Sequence, residues 1–316
     1  WRENTTQATA ITANPPNQWC YGISENISTE LVHRFRSGSL IFANNLGLTT
    51  TALDISLATG AITDNGFTVT IASSFPMTFT VLVIGGDDFS ATVGTFDTGT
   101  ATSDLAVTGV GFVPKGVLGV VSRGDLTAGV TTGSRFGLGV AISATERCCL
   151  STIGAAGATS NETGVLHEAR WMAPCNAAGS TAFHFEFDVK TFDADGFTIS
   201  RVAAAPADER CGYVAIGGNL DTDLSFYDAP TGTGAQTRTG PGFRPSVGIA
   251  FSAIRVSSNT PSDVARDMVG FVTGPSNQSS QMFDSADNLG TWTSSRLSDE
   301  THFVVHAGGA APTVLA

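Results

Sequence analysis

Lysine is nearly missing from this chain: of 16 cationic residues only Lys115 and Lys190 are lysines, against 28 acidic ones, for a net charge of −12. Binding to phosphate backbones needs a basic stripe, so no nucleic-acid partner is expected. No run of 18 apolar residues occurs, so no membrane span is expected either. The charged fraction is only 14%, but 41% hydrophobic residues with 20 Phe give a globular core rather than a disordered chain. Five cysteines, at 20, 148, 149, 175 and 211, include no C-x-x-C pair. That excludes a disulfide scaffold and gives no zinc or redox motif. The cysteines read as buried thiols. Cys148 and Cys149, adjacent on a strand, face opposite ways, so at most one is expected in the core and the other partly exposed.

Catalytic motifs are missing as well. Leu166-His167-Glu168-Ala169-Arg170-Trp171 opens like H-E-x-x-H, but Trp171 stands where the second zinc ligand belongs. Gly133-Ser134-Arg135-Phe136-Gly137 puts its serine one place too early for a nucleophile elbow. The Gly-x-Gly pairs at 109–111, 137–139, 232–234 and 240–242 have no strand-to-helix context and read as turn glycines. His302 and His306 share a strand face without a third ligand. His184, Glu186 and Asp188 alternate with Phe183, Phe185 and Phe187, as the solvated face of a half-buried strand would. No catalytic residue is assigned, and the chain is not expected to be an enzyme.

What is present is a long-period repeat. The first half carries DNGFTVTI (64–71), VLVIGG (81–86) and VTGVGFVPKGVLGV (107–120), and the second ADGFTISR (194–201), YVAIGG (213–218) and RTGPGFRPSVGIAF (238–251). Gly66 and Gly196 lie 130 residues apart, Gly85 and Gly217 132, Gly109 and Gly240 131, and Pro114 and Pro245 131. One register over such distances points to two copies of one domain. Alternation such as Phe67/Val69/Ile71 marks strands with one buried face, and Asn65-Gly66 and Asp195-Gly196 mark hairpin turns. Pro114 and Pro245 belong at the mouths of strands. Only 27–36 and 262–269 suggest short helices.

The fold expected is therefore all-β: two tandem antiparallel β-sandwich, jelly-roll-like domains related by internal duplication. The divisions are an extended N-terminal arm at 1–23, repeat 1 at 24–165, repeat 2 at 166–310 and a tail at 311–316. In the strand starts Gly109, Gly111, Phe112, Pro114 and Gly240, Gly242, Phe243, Pro245, the glycines shape the loop and each Phe is carried into a core. The order of FDADGFTI, YVAIGG and TGTGAQTRTGPGFRPSVGIAFSA resembles a repeat of structural proteins of tailed bacteriophages. That resemblance implies a virion component, in capsid, decoration or tail, that contacts other virion subunits and itself.

Two further sets of residues bear on partners. Asp87 and Asp88, and Asp221 and Asp223, follow Gly-Gly at the same repeat position, and clustered carboxylates on a flexible loop suit calcium. Solvated Asx turns account for them equally. Trp19, in the Pro-containing arm, offers an apolar anchor for a neighbouring subunit. The alternative function is a receptor- or carbohydrate-binding fibre or spike module contacting a host surface glycan, secreted or at a cell surface, with Trp171, Trp292 and Tyr227 as candidate stacking residues.

Overall fold

The computed structural model describes residues 4–11, 18–26, 30–37, 41–44, 51–63, 66–73, 83–122, 129–131, 133–155, 162–176, 182–227, 237, 239–253, 265–285 and 294–299. Among them there is no helix. Strands follow in chain order: β1 (Asn4–Ile11), β2 (Gln18–Asn26), β3 (Glu30–Ser37), β4 (Ile41–Asn44), β5 (Thr51–Thr63), β6 (Gly66–Ser73), β7 (Phe89–Asp97), β8 (Leu105–Thr108), β9 (Pro114–Ser122) and β10 (Gly129–Thr131). There follow β11 (Gly133–Ala141), β12 (Arg147–Ala155), β13 (Glu162–His167), β14 (Glu186–Asp193), β15 (Gly196–Ala203), β16 (Arg210–Gly218), β17 (Gly248–Ala253), β18 (Ala265–Gly274), β19 (Asn277–Ser285) and β20 (Ser294–Asp299). The protein is all-β, as its alternating Val, Ile, Phe and Thr runs require.

The centre is β-sandwich-like. A six-stranded antiparallel sheet runs β13-β12-β11-β9-β16-β7, and a three-stranded sheet runs β14-β15-β8. Between them lies one core. Phe96, Val117, Val121, Ala141, Cys211, Tyr213 and Ala215 come from the larger sheet, and Val107, Phe187, Val189, Phe197 and Ile199 from the smaller. Trp171, Met172 and Phe185 fill it from the crossing segment between β13 and β14. Trp171 stacks on Phe96 at 6.0 Å between ring centroids and meets the Phe197 ring edge-on at 5.7 Å. Its indole N–H donates to Val117 O at 3.2 Å, so the polar end of a fully buried ring is satisfied.

Strand glycines make room for this crossing segment. A Cβ on Gly139 would lie 1.7 Å from Trp171 O, and one on Gly119 2.7 Å from the Trp171 ring. Gly137 and Gly139 are thus strand positions of β11 under close approach, not the turn glycines that their spacing suggested.

The opposite face of the large sheet is covered too. A sheet of order β1-β2-β3-β10 lies on it, with β3 against β9, β11 and β12. Val120, Phe136, Leu138, Cys148 and Leu150 are buried there. Cys148 and Cys149 do face opposite ways on β12, but both are buried, because both faces of that strand are covered. The remaining sheets are β4-β5-β6 and β17-β18-β19-β20, the latter with β17 and β18 against β12 and β13.

Three further expectations change. Of the expected extended arm at 1–23, residues 4–11 form β1 and residues 18–23 lie in β2; these strands pair with each other and, through β2, with β3, so the described part is built into a sheet of its own chain. The Thr/Ala alternation of TTQATAI suits a ladder, and Pro15 and Pro16 fall between the strands, outside the described residues. Of the stretches 27–36 and 262–269, the described residues 30–36 and 265–269 are strand, in β3 and β18, and not helix. In β3, alternating Leu31, His33 and Phe35 is a period of two that the mixed charges of the stretch obscure.

The third concerns the two halves. The position 165/166 falls within β13, and strands from beyond it are built into both sheets of the sandwich: β16 lies between β9 and β7, and β15 pairs with β8. Local correspondences exist, since Gly66 and Gly196 each begin the second strand of a hairpin, β5–β6 and β14–β15. The order β17-β18-β19-β20 likewise matches β9-β11-β12-β13. Two sandwiches each closed within its own half are not shown. The tail at 311–316 lies outside the described residues.

Candidate functional site

The strand start at 109–114 is a junction between the halves. Gly109 and Gly111 take φ of 83° and 87°, left-handed values open to glycine, and so turn successive amide N–H groups toward one point. That point is Asp195. Its Oδ2 accepts from Gly109 N–H at 3.1 Å, its Oδ1 from Gly111 N–H at 2.6 Å, and its carbonyl from Val110 N–H at 3.2 Å. Phe112 packs on the core, with its ring 2.6 Å from where a Gly217 Cβ would stand. Pro114 opens β9 opposite Gly217. The D-G turn, the I-G-G strand end and the G-x-G-F-x-P start thus meet here, the first two from the second half and the third from the first.

The second strand start differs. Gly240 has φ of 158°, close to extended backbone, Gly242 has 73°, Phe243 is half-buried, and the exposed Pro245 precedes β17 by three residues. Trp19 lies in β2 opposite Ala10 and Ser37, and its side chain is outside the described residues, as are His302, His306 and Trp292.

The four aspartates proposed for calcium are exposed. Asp87 and Asp88 form the turn into β7, and Asn219 N–H, just past β16, donates to Asp88 O at 2.9 Å, so the two loops adjoin through backbone. Asp223 instead accepts from Ser225 Oγ at 2.5 Å. Among the described residues no group of three or more His, Cys, Asp or Glu is placed to hold a metal ion. Nor does any helix there have the length and apolarity to cross a membrane.

The densest polar chemistry is at His184, Glu186 and Asp188, read above as a solvated face. It is covered. Asp188 is buried and lies 3.1 Å from Arg147 Nε and 3.3 Å from an Arg170 guanidinium nitrogen, while Arg170 Nε donates to Glu186 Oε2 at 2.6 Å. Burial pushes the Asp188 carboxyl up from its ordinary value against the pull of Arg147 and Arg170.

A second pair is deeper. Arg135, 2% exposed, donates from Nε to Cys175 O at 2.6 Å and from its terminal nitrogens to Asn176 O at 2.7 Å and Glu209 Oε1 at 3.2 Å. His184 Nε2 stands 2.8 Å from the same carboxylate oxygen, outside hydrogen-bonding geometry. The arginines answering these carboxylates come from β11, β12 and the loop after β13, separations that strand periodicity does not report.

Burial lowers the His167 pKa, followed by Arg170, and its Nδ1 accepts Ala169 N–H at 3.2 Å. Burial raises the Cys148 thiol to about 12, and Cys149 and Cys211 go well up for the same reason. Such thiols are poor nucleophiles. Trp171, one of the three aromatics considered for stacking on sugars, is fully buried, whereas Tyr227 is exposed. These polar groups clamp the crossing segment to the sandwich. Comparison with known protein families, curated proteins and solved structures finds no match.

Proposed function

We propose that this chain is a structural subunit of a virion of the tailed-phage kind, without enzymatic activity, that works through protein–protein contacts with its own kind and with other virion subunits. One observation carries the reading. Of the nine large apolar residues exposed among those described, Phe67, Ile71, Val83, Ile84, Phe226, Tyr227 and Val247 fall on two stretches, 67–84 and 226–247. Single apolar side chains on a surface are ordinary, whereas adjacent exposed ones, as at Val83–Ile84 and Phe226–Tyr227, suit a surface covered by another molecule. The sequence repeat resembling phage structural proteins supplies the class of partner.

The test is copy number. Purified particles should contain the chain at fixed stoichiometry, and Ile84→Asp with Val247→Asp should lower its uptake while leaving the isolated protein folded. Uptake undiminished by both changes would refute the reading. The exposed neighbours Phe226 and Tyr227 favour the second reading, a glycan-binding fibre or spike module. That reading predicts that Tyr227→Ala abolishes attachment to host cells without affecting particle yield.

A further inference from the structure

The molecule completes one sandwich and leaves the parts of another unjoined. In the finished one β16 lies along β9, with Ile216 opposite Gly116 and Gly217 opposite Pro114. The sequence counterpart of β16, VLVIGG at 81–86, ends in Val83–Gly86, which form no strand; Val83 is 70% exposed and Ile84 42%. The counterpart of β9 is β17, since a G-x-G-F-x-P run precedes both.

β17 ends its sheet, and among the described residues no strand lies on the outer side where β9 carries β16. Val247, 131 residues after Gly116, is exposed at its start, and Ile84, 132 before Ile216, is exposed as well. Gly85 has open space where its counterpart Gly217 meets the Phe112 ring.

Within one chain this strand cannot reach this edge. Gly86 is three residues from Phe89, a span of at most about 11 Å, and Phe89 N–H donates back to Gly86 O at 3.1 Å. β7 is one end of the six-stranded sheet, and β17 lies against β12 and β13 at the other end. Four to five strand spacings separate them, about 19–24 Å.

We propose that a second copy of this chain supplies the missing strand. Its Val83–Gly86 segment adds antiparallel to the outer edge of β17, as β16 adds to β9, with Ile84 opposite Val247 and Gly85 beneath Phe243. Arg244, exposed beside Phe243, faces Asp87 and Asp88 at the end of the incoming segment. The inference rests on the assembly reading in taking the partner to be a like subunit, and it names the contact.

The experiment uses two full-length single variants, Ile84→Cys and Val247→Cys, mixed under mild oxidation, with the wild-type chain as control for the native thiols. Directly opposed strand residues are within disulfide reach. The expected product is a disulfide between the two chains that neither variant forms alone. Wild-type protein should sediment above its 32.5 kDa monomer, and Ile84→Asp should weaken that association about tenfold or more with its thermal unfolding transition retained.

No disulfide in the mixture, or one formed only inside the Ile84→Cys/Val247→Cys double variant, would overturn the proposal. A disulfide between chains that take no place in particles supports the contact and removes the virion reading; uptake into particles with no disulfide removes the contact alone.

Discussion

A methyl group on Gly139 would sit 1.7 Å from the Trp171 carbonyl oxygen, which is backbone and has nowhere to go. Gly139→Ala should therefore cost about 3 kcal/mol, the upper end of ordinary overpacking, read as a lowered urea midpoint. Arg135 and Glu209 are a buried pair, so Glu209→Leu takes a carboxylate away from a buried guanidinium. The expected loss is about 3–5 kcal/mol, and the double variant Arg135→Met/Glu209→Leu should not recover it, because the bonds from the arginine to Cys175 O and Asn176 O are lost as well. By contrast, Asp87→Asn with Asp88→Asn, and Asp221→Asn with Asp223→Asn, should leave the melting temperature unchanged with or without chelator. A chelator-sensitive melting temperature would restore the calcium reading. At this scale the sequence was half legible. The alternation of Phe185 and Phe187 with polar neighbours told which side faces the core, and both are buried. It could not tell that Arg147 and Arg170 fold over Glu186 and Asp188, because periodicity within a strand says nothing about what crosses it.

At the scale of elements, the loop at 109–111 is held by a turn from the other half. Asp195→Ala removes two charge-assisted bonds to exposed amides, a loss of about 1 kcal/mol. The amides of Gly109 and Gly111 should then exchange faster with solvent than those of β9. β12 tests the layering, since its two cysteines are buried on opposite faces. In the native protein at pH 8, Cys148, Cys149, Cys175 and Cys211 should resist thiol reagents and react on unfolding. Because the folded thiols hold their protons more strongly than unfolded ones, the native state binds more protons above the ordinary thiol pKa. Stability is then full below about pH 8.5 and falls as pH rises toward the value of about 12 for Cys148. A urea midpoint flat through that window would contradict the burial of both faces. Strand runs and the hairpins at Gly66 and Gly196 were readable from alternation and turn residues. β3 and β18 were not, since charges on both faces, Arg34 and His33 in β3 and the adjacent Arg266 and Asp267 in β18, hid a period of two.

For the whole molecule, the repeat told which pieces resemble each other but not which pieces pair. Likeness of sequence does not set pairing: YVAIGG stands in β16, whereas the similar VLVIGG ends in Val83–Gly86, which form no strand. A strand from the second half of the chain, β16, lies between β9 and β7 from the first. The sandwich is built from both halves of the chain, and fragments of the chain distinguish this from two halves that each close alone. Residues 83–227, expressed alone, should unfold in one cooperative transition, because they contain every strand of both sheets around the core. Residues 24–165 and 166–310, each alone, should show no cooperative unfolding, since the first lacks β14, β15 and β16 and the second lacks β7, β8 and β9. Cooperative unfolding of both half-chain fragments, with 83–227 unfolded, would mean instead that each half closes its own sandwich.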